Sequence, residues 1–153
     1  MSLDIDDRPV VYLAGGLKSG WQDKFLYYED FRWVDPRALN SPGHAIEDVA
    51  FIERSVLQDV DGVIACYEGD DFCPHGMATE IGYAAALGKP LVMYIPEQAG
   101  VLELTTTLRW WSEFCRMQVL SYGITRGGSA TSEASAISAM GKLMDKLLDG
   151  DWS

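Results

Sequence analysis

Glu80 is a carboxylate in apolar company. It lies in the stretch HGMATEIGYAAALGKPLVMYI, residues 75–95, among Met77, Ala78, Ile81, Ala84 and Ala85. Two effects compete at such a position. Backbone N–H groups at the start of a helix favour the charged form by about 0.3–1 kcal/mol, and an apolar wall disfavours it. A carboxylate that stays charged while poorly solvated is a nucleophile toward an electrophilic carbon. On spacing alone, a surface glutamate complementing the helix dipole is the plainer account. Tyr12 lies near the end of an apolar run and can reach the same mouth, although taken alone a core tyrosine with its hydroxyl at the surface is the plainer account. Glu53 precedes Asp61 by eight residues on a segment of helical spacing, where a solvated position is the plain reading. Asp70 and Asp71 precede Glu80 in a loop, either as solvated residues or as hydrogen-bond partners of a base or sugar. The segment GGLKSG, residues 15–20, lacks both the GK[ST] and the GxGxxG spacing, so it is a weak phosphate motif. Its backbone amides remain able to hold a hydroxyl or a phosphate.

These residues need elements to position them. PVVYLAGG (9–16), DGVIACY (61–67) and PLVMYI (90–95) are apolar without a period of two, as strands covered on both faces are. FRWVDPR (31–37) alternates and stops at a proline, which suits an outer strand, and CRMQVLSY (115–122) reads as a last one. Between them come helices: a short one over 19–30 with Ser19 as N-cap, one over 45–58 with Val49, Ile52, Val56 and Leu57 inward, one over 76–87 closed by Gly88, one over 104–114, and an amphipathic one over 132–150 with Ser132 as N-cap. Strand–helix alternation of this kind predicts an α/β fold, three layers in a flavodoxin-like or Rossmann-like arrangement around a parallel sheet of about five strands. Ligands in such folds sit beyond the C-terminal ends of the strands. The loops AGGLKSGW and YEGDDFCPHG fall there.

The chain has 153 residues and a formal charge of −11, from 23 acids against 12 Lys plus Arg. Such a surface repels a phosphate backbone, so nucleic acid is excluded as a general partner. No apolar run is long enough to cross a bilayer, so no membrane partner is expected. Residues 1–8 read as a lead outside the fold and 9–153 as a single domain. Three cysteines without CxxC spacing read as reduced thiols of a cytoplasmic protein. His44 and His75 lie too far apart in sequence to suggest a metal site.

Together these residues resemble the nucleoside 2-deoxyribosyltransferase family, in its branch with YLAGG, GWQD and DPR. The likeness runs from about Val10 to Ile95 and is most specific in GMATEIGYAAALGKP. It implies that Glu80 attacks C1′ of a 2′-deoxynucleoside, that Tyr12 orients it, and that Glu53, where the family usually has aspartate, protonates the leaving base, with Asp48 as fallback. It implies substrate contacts from Gly15, Gly16, Trp21, Asp48, Asp71, His75 and Gly76, no cofactor or metal, and a homo-oligomer. Pro74 stands where the family often has a base-binding aspartate, a departure for which His75, Asp71 or Asp70 would substitute. The expected reaction is transfer of a deoxyribosyl group between bases. The alternatives are hydrolysis of a nucleoside or its 5′-monophosphate, or nucleotide binding without catalysis. Asp70, Asp71 and Pro74 in the second loop are hostile to an anion, which favours an unphosphorylated ligand.

Overall fold

The computed structural model describes residues 6–39, 43, 45–69, 75–96, 105–121 and 132–148. Asp70, Asp71, Cys73, Pro74, His44, the Ser132 side chain and the chain beyond residue 148 lie outside the described residues.

Five strands form one all-parallel sheet: β1 (Val10–Gly15), β2 (Arg32–Val34), β3 (Gly62–Cys66), β4 (Leu91–Ile95) and β5 (Gln118–Ser121), in the order β2-β1-β3-β4-β5. The helices are α1 (Asp23–Leu26), α2 (Pro36–Leu39), α3 (Ile46–Asp59), α4 (His75–Ala86), α5 (Thr106–Cys115) and α6 (Ser132–Leu148). The topological switch lies between β1 and β3, whose register pairs Tyr12 with Val63 and Gly15 with Cys66.

Alternation along each strand sorts the core into two layers. Tyr12, Ala14, Val63, Ala65, Met93 and Ile95 face Leu57 of α3, Met77, Ile81 and Ala84 of α4, and Leu108 of α5. Val11, Leu13, Ile64, Cys66, Val92 and Tyr94 face Phe25 of α1 and Ala136, Ile137 and Met140 of α6. Every residue of β3 and β4 is buried. That is why these strands read as unbroken apolar runs: with helices on both faces, neither set of side chains meets water.

The helix ends follow local chemistry. Thr105 caps α5 by accepting from the Leu108 amide at 3.2 Å. Gly88, at φ 73°, ends α4, and the Gly88 and Lys89 amides donate back to the Ala85 and Ala84 carbonyls. Two expectations need correction. The first helix spans only Asp23–Leu26 and Gln22 stands at its N-cap, so Ser19 caps nothing. The chain turns later because Gly20 takes φ 78° and its carbonyl accepts from the Asp23 amide. The four-residue α2 was not expected; it begins at Pro36, whose fixed φ suits a first helical turn.

Candidate active site

Tyr12 sits mid-strand on β1, an interior strand of the sheet, and its ring points to the side covered by α3 and α4. It is completely buried. α4 packs against β1, β3 and α3, which sets Glu80 over Tyr12 and brings Glu53 of α3 alongside. The three act on one another. Burial pushes the Glu80 carboxyl from 4.5 up to about 7; the Tyr12 hydroxyl opposes this as a hydrogen-bond donor, and the charge of Glu53 adds to the rise. Burial also holds the Tyr12 hydroxyl well above its ordinary pKa, and Glu80, Glu53 and Asp35 reinforce it. Glu53 is half-buried and raised by desolvation.

Tyr12 Oη and Glu80 Oε2 are buried, and neither has a well-formed hydrogen bond among the described residues. The hydroxyl is near enough to influence the carboxylate yet makes no hydrogen bond within ordinary limits. Two facing polar atoms left in this state carry a desolvation penalty of about 1–3 kcal/mol each. A ligand atom that hydrogen-bonds to either one recovers that penalty.

The competition posed by the sequence is decided for burial. α4 begins at His75, so Glu80 lies in its second turn, beyond the reach of the helix dipole.

The other expected residues occupy different places. Asp48 is exposed in the first turn of α3. Five positions from Glu53, it points about 140° away around the helix. His75 and Gly76 are exposed at the start of α4. Trp21 is buried; its indole N–H and the Gln22 amide both donate to the Gly16 carbonyl at 3.0 Å. The loop after β1 is thereby tied down. Gly15 is fixed by the same packing. A Cβ there would lie 2.9 Å from the Trp21 ring and 3.0 Å from the Cys66 carbonyl, at a φ of 155°. Gly15→Ala is expected to lose about 2–3 kcal/mol of stability in urea denaturation. An unchanged midpoint would mean that the loop shifts freely.

Sequence reading assigned no role to a cluster beside this site. Arg37 forks onto Asp35 at 2.7–3.1 Å and reaches Asp23 of α1 at 2.6 Å. The D-P-R triplet signalled the turn after β2, but nothing local announced Asp23 as the third partner.

A cleft of about 550 Å³ lies elsewhere, at the N-terminal ends of the strands, with Lys89, Arg116 and Lys146 among its lining residues. These cations stand at or just beyond the C-termini of α4, α5 and α6. Complementing helix dipoles explains them there, and none of Tyr12, Glu53 and Glu80 lines this cleft. Among the described residues no group of three or more His, Cys, Asp or Glu is placed to hold a metal, and no helix is long and apolar enough to cross a membrane.

Comparison with known proteins agrees with this architecture. Residues 27–119, more than half of the chain, match the family model described as nucleoside 2-deoxyribosyltransferase; Tyr12 lies ahead of the matched segment. A CMP N-glycosidase from Clostridium botulinum is similar in fold, with a TM-score of 0.54 and 16% identity over 87% of this chain and 98% of that one. A 2-deoxyribosyltransferase from Leishmania mexicana aligns at a TM-score of 0.47 and 17% identity over 81% of each chain. No curated protein matches. With its five parallel strands and the matched segment running from just after α1 into β5, the chain belongs to the nucleoside 2-deoxyribosyltransferase family.

Proposed function

We propose that the protein cleaves the N-glycosidic bond of a 2′-deoxynucleoside by double displacement and passes the sugar to a second base. Glu80 attacks C1′ and forms a glutamyl ester as the bond to the departing base breaks. Glu53 donates a proton to that base. The acceptor base then attacks C1′ from the opposite side, releases Glu80 and returns a proton to Glu53, with net retention. Tyr12 orients Glu80 and supports its charged form. The observation that carries this reading is the buried pair of Glu80 and Tyr12, each with an unpartnered oxygen, beside a second carboxylate.

The unliganded electrostatics set a condition on these roles. The charge of Glu53 raises the Glu80 carboxyl, which favours the proton on Glu80 in the empty site. Catalysis needs the proton on Glu53 instead. An oxocarbenium-like sugar beside Glu80 would stabilise its charge and move the proton toward Glu53 and the base.

The second reading is hydrolysis, in which water replaces the acceptor base; Glu53 is half-buried rather than sealed and so remains in contact with solvent. One assay separates the two. The protein is incubated with deoxyinosine and free adenine or cytosine, and the products are resolved by chromatography. A new deoxynucleoside supports transfer, and free base with deoxyribose supports hydrolysis. In parallel, acid-quenched protein is digested and searched for a sugar adduct by mass spectrometry. The adduct is expected on the peptide carrying Glu80; an adduct on Glu53 would exchange the two roles.

A further inference from the structure

The cluster of Asp23, Arg37 and Asp35 is anchored to three elements at the mouth of the site. Asp35 follows β2 directly, and its charge is felt by the Tyr12 hydroxyl. Asp23 opens α1 immediately after the loop that leaves β1. Arg37 lies in α2 and faces that loop: its Nη1 is 4.0 Å from where a side chain on Gly20 would begin. The guanidinium stands beside the loop that leaves β1, next to the Asp35 whose charge acts on Tyr12. It is already held by two carboxylates, at 2.6 and 2.7 Å. These two acids outnumber its single charge.

Resting on the reading of this site as one for nucleosides, we propose that Asp23 is a specificity-determining residue that acts through Arg37: by holding the guanidinium against Asp35, it keeps the mouth net negative and disfavours a 5′-monophosphate relative to the free nucleoside. The two carboxylates differ in how firmly they are built in. Asp35 is largely buried and accepts the Arg37 backbone amide as well as its side chain. The Asp23 side chain is 64% exposed. Asp23 is therefore the removable member. Without it, Arg37 stays on Asp35 with one N–H freed toward the Gly16–Gly20 loop. A phosphate would then meet a neutral pair in place of a net negative triad. Lys18, exposed on the same loop, would add to the attraction.

The test compares wild type, Asp23→Asn and Asp23→Glu on a 2′-deoxynucleoside and its 5′-monophosphate, read as the ratio of kcat/KM for the two substrates. Wild type is expected to favour the free nucleoside. Asp23→Asn should move the ratio toward the monophosphate by about tenfold, from loss of one unit charge near the phosphate, and Asp23→Glu should restore much of the wild-type ratio. The monophosphate gain should shrink in high salt, which a merely structural effect of the substitution would not do. A ratio unchanged in Asp23→Asn, or a wild type that prefers the monophosphate, overturns the proposal. Binding of both compounds by calorimetry keeps the two readings apart. Preferred binding of the nucleoside without turnover leaves the specificity role standing while the catalytic reading fails. Binding of neither overturns both.

Discussion

Glu80→Gln is expected to reduce turnover by on the order of 10⁴-fold, because it removes the nucleophile and leaves only positioning and surrounding polar groups to act. The glutamine keeps the shape and polarity of the side chain, so a folded variant with unaltered ligand binding isolates the loss to bond-making. The wild-type pH profile adds a second signature. Glu80 must be charged to attack, so the rate should rise with pH through about 7, where this carboxyl loses its proton. It should fall again at higher pH as the pair gives up the proton needed by the leaving base. The neighbours of Glu80 move that rising limb in opposite directions. The charge of Glu53 raises the Glu80 pKa and the Tyr12 hydroxyl lowers it. Glu53→Gln should therefore shift the limb to lower pH, and Tyr12→Phe should shift it to higher pH. Steady-state rates from pH 5 to 9 check all three variants. A folded Glu80→Gln that keeps even a tenth of the wild-type rate would remove Glu80 from the nucleophile's role.

What the sequence revealed and what it hid divide along physical lines. β3 and β4 were legible because burial on both faces leaves an unbroken apolar run between polar boundaries. α3 and α4 were legible from their helical period and, for α4, from Gly88 at its end. The extent of α1 was not. Its beginning depends on Trp21 and Gln22 turning inward to share the Gly16 carbonyl, and no local pattern announces a buried glutamine. The candidate site divides in the same way. Apolar neighbours singled out Glu80, but its protonation balance depends on where α4 begins and on Tyr12 and Glu53, brought to it from 68 and 27 positions away in the chain. The Arg37 clamp joins residues 14 apart across two elements. It exists only once α1 and the turn after β2 are packed on the same rim.

The same substitution should stabilise the fold it disables. Glu80 holds its proton more tightly in the folded protein, with a pKa of about 7 against 4.5 for the free side chain. A raised folded-state pKa contributes stability in full below the unfolded value, and that contribution is lost as pH rises through the folded value. The window therefore runs from about pH 4.5 to 7. Above it, wild type buries a charge with an unpartnered oxygen beside a second carboxylate. The span between the two values corresponds to roughly 2–3 kcal/mol, after allowing for the partial exposure of Glu80. Glu80→Gln carries no such charge. Its stability should match wild type near pH 4 and exceed it by roughly 2–3 kcal/mol at pH 8, or by roughly 5–10 °C in Tm for a chain of this size. Urea denaturation at pH 4, 6 and 8 measures the difference directly. If the glutamine variant proves no more stable at pH 8, the carboxylate is either well solvated or firmly paired in the native protein, and the strained pair with Tyr12 does not exist. If the gain appears together with the loss of turnover, then the carboxylate that folding buries without full hydrogen bonding is the one that bonds the sugar, and the instability of the empty site is inseparable from its reactivity.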